Sequence, residues 1–379
     1  MIARGTICYP TYRDVRDALL ASSRKPSAEY LLVFLADRGI FISNDLSRDE
    51  IVEEISMRKL SFNDFEELLN LIEVHARNEK SEFKSINNSS IDLNAIKINE
   101  LTNKLQDKRE KNGEIINVET DSSGKIYINV NYVEFDYGKT PLRQRQEKEA
   151  KIEIIKEKGF IKFRYPANER LRDVVGNLLG LIEDENEEDI QIKEIDLSNF
   201  SREKRTLFFR ELMRSLEGYN FEDVIKVGLE NKANDIGFTE DQDNEDAEGL
   251  EEIEKETMEA KAKSFLKKAS LDGEGLLHSE ELRSFLDSGF YFSRVVWIVK
   301  NSKEKVALEA LMENPVEGKN YKYSVRGIFP MKRNREGYAK NVRQPTPEDR
   351  RRLSHLLENA SYKTYEKILN FEDRKSTRL

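Results

Sequence analysis

Two residues apart at the end of an apolar run, Glu230 and Lys232 have the spacing at which a carboxylate can hold Mg²⁺ while an ammonium orients the attacking water. Such a centre needs a second carboxylate from a neighbouring strand, and Asp196 is the one acid upstream in a suitable position. Because the chain carries 72 Asp and Glu and 63 Lys and Arg, an acid two places before a lysine also arises by chance. The rest of the chain offers little for catalysis. It has no G-x-x-x-x-G-K-[ST] or G-x-G-x-x-G loop to cradle a phosphate, no G-x-S-x-G nucleophile turn and no H-E-x-x-H metal pair. Its three histidines, His75, His278 and His355, stand apart in sequence and read as structural or solvent-exposed. The lone cysteine, Cys8, allows neither an internal disulfide nor a thiolate-based zinc site, and fits a reducing compartment.

Charge is distributed more informatively than the net value of −9 suggests. From Asp235 to Glu259 there are twelve acids and one lysine, an acidic insert. From Met331 to Leu379 there are thirteen Lys or Arg against seven acids, a basic tail. Lys332, Arg333, Arg335, Lys340, Arg343, Arg350, Arg351 and Arg352 bracket Tyr338 there. Lysines and arginines in that density can neutralise phosphates and release counterions, and Tyr338 can stack on an exposed base. The competing reading is that the tail pairs with the molecule's own carboxylates. The acid runs at 183–189 and 235–259 lack the alternating ligands and glycine of a calcium loop and read as solvated segments.

The elements that must position these groups are legible from period and punctuation. Gly39 follows the apolar set Leu31, Leu32, Phe34 and Leu35 as a left-handed helix stop, with Ser27 as the helix start. Ser47-Arg48-Asp49-Glu50 has the form of a capping box. Ser61 opens a third helix with Phe62, Phe65, Leu68, Leu69 and Ile72 at helical spacing. These define an N-terminal three-helix module over residues 1–85 with a loose start, then a linker and helix over 86–112, with residues 84–90 reading as linker.

From Gly113 the period shortens to two, and residues 113–233 read as an α+β domain. Strands are expected at 115–119, 125–135 (with a bulge), 151–156, 160–165, 190–197 and 224–229, the last three separated by helices to give β-α-β-α-β. An acidic linker and helix span 234–262, a second α+β unit spans 263–330, and a basic loop at 331–345 leads into a C-terminal helix opened by Thr346-Pro347-Glu348-Asp349. The segments 195–198 and 269–273, each followed by a helix and a strand, suggest an internal duplication. The fold class is therefore α+β: a helical module, a strand-rich centre, a second α+β unit and a C-terminal helix.

Within the N-terminal module, Leu31-Leu32-x-x-Leu35-x-x-Arg38-Gly39-Ile40, then Ser43, then Arg48-x-Glu50-Ile51-Val52 resembles the helix–extension–helix of SAP-like DNA-binding modules over residues 27–60. The loop departs from that pattern, with Asn44-Asp45-Leu46 where Gly and Lys are usual, and residues 1–60 carry nine positive and nine negative charges. The resemblance implies that Arg38 and Arg48 face nucleic acid. The Glu230/Lys232 spacing in turn resembles metal-dependent nucleases of the PD-(D/E)xK type, which would make Asp196, Glu230 and Lys232 catalytic and Mg²⁺ the cofactor.

The leading expectation is a non-catalytic nucleic-acid-binding or scaffold subunit without a cofactor, contacting DNA or RNA and a protein partner or further copies of itself. A purely structural oligomeric subunit is the third reading. The longest apolar stretch, Tyr30 to Ala36, is far short of the ~20 residues of a membrane span, and no signal peptide is evident, so a cytoplasmic location is expected. The Asn-, Lys- and Ile-rich composition prompts a prokaryotic multi-protein system, such as anti-phage defence, as the context.

Overall fold

A computed structural model describes residues 11–21, 26–72, 80–87, 93–109, 114–122, 124–157, 159–185, 191–231, 268–332, 337–339 and 341–376. The chain forms two units. The first takes Met1–Arg77, Ser90–Ile155 and Arg170–Asp189, and the second takes Asn78–Ser89, Lys156–Glu169 and Ile190–Leu379. The class is α+β, as the alternation of periods implies. Among the described residues no helix is long and apolar enough to cross a membrane.

The first unit begins with four short helices, α1 (Tyr12–Leu20), α2 (Ala28–Ala36), α3 (Arg48–Ser56) and α4 (Phe62–Ile72). The expected loose start is in fact α1, closed by a reciprocal cap between Thr11 and Asp14 and held by buried Val15, Ala18 and Leu19. The Ser47–Glu50 capping box forms as read, and its two hydrogen bonds to Ser47 hold the Glu50 carboxyl below its ordinary value. Gly39 takes φ +70° after α2, and the Ile40 amide donates back to the Leu35 carbonyl, a helix stop that a side chain at Gly39 would strain. Ser27 sits at the start of α2, yet its hydroxyl makes no capping bond. Leu31, Phe34, Leu35, Ile51, Val52, Ile55, Leu68 and Ile72 close the module's core.

The unit continues with α5 (Ala95–Arg109), strands β2 (Ile115–Thr120), β3 (Ile126–Phe135) and β4 (Arg145–Glu157), the one-turn α6 (Pro141–Gln144) and α7 (Glu169–Asp184). The strands pair antiparallel in the order β2-β3-β4. The bulge expected in β3 is absent: its register with β4 runs unbroken from Ile126↔Ile154 to Phe135↔Arg145.

The second unit is built on the strands β1 (Ser81–Asn87), β5 (Phe160–Pro166), β6 (Ile192–Lys193), β7 (Asn220–Glu230), β8 (Lys268–Asp272), β9 (Tyr291–Lys300), β10 (Glu304–Asn314) and β11 (Lys319–Pro330). They form an antiparallel sheet of order β5-β1-β11-β10-β9-β7-β8, with β6 beside β1. Over residues 84–87 the expected linker is overturned by β1, which lies between β5 and β11 and buries Phe83 and Ile86, while 88–90 lie outside the described residues. Its Ser, Lys and Asn hid a strand whose two apolar residues suffice once both edges are hydrogen-bonded.

The β-α-β-α-β expectation survives only as element order, since the pairings are antiparallel and its middle strand shrinks to Ile192–Lys193. The suggested duplication goes no further than strand–helix–strand order, because β6 pairs with β1 whereas β8 pairs with β7. Helices α8 (Arg202–Leu212), α9 (Glu280–Asp287) and α10 (Pro347–Ser376) complete the unit. Phe208, Phe209, Leu212, Trp297, Tyr321, Tyr323, Leu353 and Leu357 form the centre of its core. The acidic linker and helix at 234–262 lie outside the described residues.

Candidate polyanion interface

Strand β10 has two faces of different character. Val306, Leu308, Ala310 and Met312 enter the core, so by the two-residue period Lys305, Ala307, Glu309 and Leu311 lie on the other face. The Glu309 side chain is 3 % exposed, and three cations converge on it from three other segments. Arg294 of β9 reaches it at 2.6 Å, Arg326 of β11 at 3.1 Å and Lys80, just before β1, at 3.8 Å. The Ser324 hydroxyl donates to the same carboxylate at 3.1 Å. Each of the three cations is itself a third to two-fifths exposed.

One carboxylate thus serves three positive groups. Burial pushes the Lys80 ammonium down; Glu309 opposes this, while Arg294, Lys322 and Arg326 add to it, and the outcome is a lowered pKa. The Nε of Arg294 is buried and has no hydrogen-bond partner. Arg294 can run close along the sheet because Gly228 stands opposite: a Cβ there would lie 2.9 Å from the Arg294 Cβ.

A second cluster repeats the imbalance four residues earlier on β10, roughly 13 Å along the strand. Lys305 and Lys300 flank one carboxylate, Glu222, at 3.0 and 3.5 Å. Lys322, by contrast, is compensated, by Glu313 at 2.5 Å and Glu82 at 3.9 Å. An excess of cations over carboxylates on a part-buried face is relieved by an anion, because the effective dielectric there is lower than in water.

The tail residues singled out from the sequence are held differently. Arg343 is bound by Asp349 at 2.8 Å, and its backbone bridges Ile328, so this part of the expected basic loop is a ribbon fixed to the end of β11. Arg352 donates to Glu304 at 2.6 Å and to the Tyr219 hydroxyl at 2.8 Å. The Tyr338 hydroxyl donates to the Asn301 carbonyl at 2.6 Å, and the Lys332 amide to the Gly337 carbonyl at 3.0 Å. Arg350 and Arg351 are not free either. Arg333, Arg335 and Lys340 lie outside the described residues.

In the helical module, Arg38 is clamped by Asp64 and Glu67, both at 2.7 Å, and lies over the Phe34 ring. Arg48 donates to the carbonyls of Pro26 and Leu19, tying α3 to α1.

Asp196 and Glu230 have different partners. The Asp196 carboxylate accepts from the Ser198 amide at 2.7 Å, beyond β6. Glu230, at the end of β7, has Lys268 at 3.9 Å, and burial raises its carboxyl. Lys232 lies outside the described residues, and among those described no group of three or more His, Cys, Asp or Glu could hold a metal ion.

The densest buried chemistry joins α10 to the sheet. Glu358, wholly buried, accepts from Arg164 at 2.5 and 2.9 Å and from the Tyr323 hydroxyl, with the Lys162 ammonium at 3.2 Å. Burial alone would raise the Glu358 carboxyl, but the Arg164 hydrogen bonds and charge, with Lys162 and Tyr323, hold it below its ordinary value. Burial beside that carboxylate drives the Tyr323 hydroxyl well up. Lys162 also meets Glu157 and the side-chain amide oxygen of Asn359, both at 3.2 Å. Every member is matched by an opposite charge or a hydrogen bond, which marks this network as the device that seats α10.

No protein family model matches the chain, and no curated protein is similar to it. The sheet-face cations escaped the sequence reading because Arg294 and Arg326 stand on different strands either side of Glu309 and Lys80 comes from a segment more than two hundred residues earlier. The available signals were a lone glutamate inside Val306-Ala307-Leu308-Glu309-Ala310-Leu311 and the two-residue rhythm of Lys322, Ser324 and Arg326.

Proposed function

We propose that this chain is a non-catalytic nucleic-acid-binding scaffold whose polyanion site is the polar face of β9, β10 and β11. The observation that carries the reading is the convergence of Lys80, Arg294 and Arg326 on the single buried carboxylate of Glu309. Phosphate oxygens would supply the missing negative charge, and guanidinium groups suit them because their planar donors can bind two oxygens at once. The sheet, fixed behind by the aromatic core and by α10, holds the donors in place without a binding-induced rearrangement. The tail is the weaker site, since Arg343 and Arg352 already have carboxylate partners.

The test is fluorescence anisotropy with labelled oligonucleotides at about 50 mM salt, where electrostatic affinity is strongest. Arg294→Ala and Arg326→Ala should each weaken binding, and Arg350→Ala/Arg351→Ala should weaken it less. Absence of binding by the native protein, or native affinity in the Arg294→Ala/Arg326→Ala variant, would remove the proposal.

A further inference from the structure

The two cation clusters of the second unit stand in line along β10, on the face that turns away from the core. Glu309 and Lys305 are four residues apart on a strand whose register with β9 is unbroken from Lys305 to Leu311, so the clusters are about 13 Å apart. Together they set Lys80, Arg294, Arg326, Lys300 and Lys305 against two carboxylates, Glu309 and Glu222.

Each cluster is assembled at an irregularity in the sheet. Ala307 pairs with Gly327 and Leu308 with Val325, which leaves Arg326 as the extra residue of a bulge on β11. Phe221 pairs with Val299 and Asp223 with Ile298, which leaves Glu222 as the extra residue of a bulge on β7. A bulge re-aims the side chain it carries. Here the two bulges bring Arg326 to Glu309 and Glu222 to Lys300 and Lys305. The Lys305 ammonium also lies over the Phe329 ring, 5.8 Å from its centre.

The row between the clusters is small and apolar. Ile298, Ala307 and Gly327 face one another across β9, β10 and β11. Val342 lies against Gly327, where a Cβ would come 2.7 Å from the Val342 Cγ2, and is 47 % exposed. On the far side of Ile298, the Asp223 carboxylate is turned to the amides of Val224 at 2.7 Å and Gly275 at 2.9 Å. The flanking cations are balanced, Lys226 by Asp272 at 2.9 Å, and Lys322 by Glu313 and Glu82. The excess positive charge therefore sits at the two ends of a short apolar row.

One phosphate cannot reach both ends. At the ~3.4 Å per phosphate of a duplex strand, a span of about 13 Å is about four nucleotide steps, and fewer in an extended strand. We infer that the two clusters are two seats of one site for a nucleic-acid strand, which lays its sugars over Ile298, Ala307 and Val342 and sets one phosphate on Lys80, Arg294 and Arg326 and another on Lys300 and Lys305. This rests on the polyanion reading above and adds to it the ligand class: a strand of several nucleotides, not a free nucleotide or inorganic phosphate. A chain of regularly spaced phosphates joined by uncharged sugars matches two cationic ends and an uncharged middle.

The experiment is competition against a labelled strand of about 16 nucleotides at about 50 mM salt. The competitors are an unlabelled octanucleotide and a dinucleotide, whose single internucleotide phosphate fills one seat. In Lys300→Ala/Lys305→Ala the octanucleotide should bind about eightfold more weakly, which is one single-strand phosphate contact at about 50 mM against 1 M salt. The dinucleotide should lose no more than about twofold, the statistical cost of removing one of two seats. Glu222→Gln removes the carboxylate that competes for the two lysines and should tighten the octanucleotide, a gain that a folding defect could not produce. Equal losses on both competitors would mean that the lysines act only through the general field, and weaker octanucleotide binding by Glu222→Gln would mean that they are not a phosphate seat; either result overturns the inference. If Lys300→Ala/Lys305→Ala binds the octanucleotide as the native chain does while Arg294→Ala/Arg326→Ala fails to bind, the second seat is wrong and the polyanion reading stands. If the native chain binds no strand, both fall.

Discussion

Replacing Glu358 by glutamine keeps its volume and removes its charge, and with it the carboxylate that takes two hydrogen bonds from the buried Arg164 guanidinium. Arg164 is 8 % exposed in its side chain and Glu358 not at all, so water cannot take over the lost interaction. Lys162 keeps Glu157 at 3.2 Å and is less affected. Breaking a buried pair from one side costs about 3–5 kcal/mol, mostly the penalty of stranding the surviving charge. The second unit has on the order of two hundred residues, for which each kcal/mol moves the melting temperature by about 2–4 °C, so a fall of about 6–20 °C follows. The single tryptophan, Trp297, is fully buried in this unit's core, and its fluorescence reports this unfolding directly. Replacing both charges, with Glu358→Leu/Arg164→Met, should restore most of the loss, since no buried charge is then stranded. A glutamine variant melting within about 2 °C of the native protein, or a double variant no better than the single, would refute the view that this network seats α10.

Two further outcomes follow from the same geometry. Glu358 and Asp349 both have depressed folded-state pKa values; burial would raise Asp349, but Arg343 and Thr346 hold it at about 2. A depressed carboxyl adds stability that is present above its unfolded value and lost as pH falls through its folded one. Stability should therefore hold above about pH 4.5 and decline from there toward about pH 2, and Asp349→Asn should remove the lower part of that decline in thermal melts taken across pH. Gly318→Ala should destabilise the second unit by more than about 1 kcal/mol, read as a lower urea midpoint. Gly318 has φ +75°, and a Cβ there would lie 2.7 Å from the Leu197 carbonyl.

Local signals carried most of the element reading. The Ser47–Glu50 box, Gly39 and the Thr346-Pro347-Glu348-Asp349 start each satisfy backbone groups within a few residues, so the sequence shows both partners at once. The second α+β unit read over 263–330 holds strands β8, β9, β10 and β11. Strand β1 did not, because its place between β5 and β11 comes from partners about 80 and 240 residues away along the chain. The sheet-face cations were hard to read from the sequence for the same reason. The arginine-rich tail drew attention because its charges are contiguous, yet Arg343 and Arg352 find carboxylates once folded. Lys80, Arg294 and Arg326 instead share one carboxylate, Glu309, and Lys80 lies more than two hundred residues before the other two. What decides whether a charge is available is the count of carboxylates around it, and that is a tertiary property.

The most direct measurement of the polyanion site is the salt dependence of oligonucleotide affinity in the native chain and in Lys80→Ala/Arg294→Ala/Arg326→Ala. If these three groups contact phosphates, the slope of log affinity against log salt should become shallower by about 1 for each group removed. Parallel lines for the two proteins would contradict the assignment of the sheet face as the site.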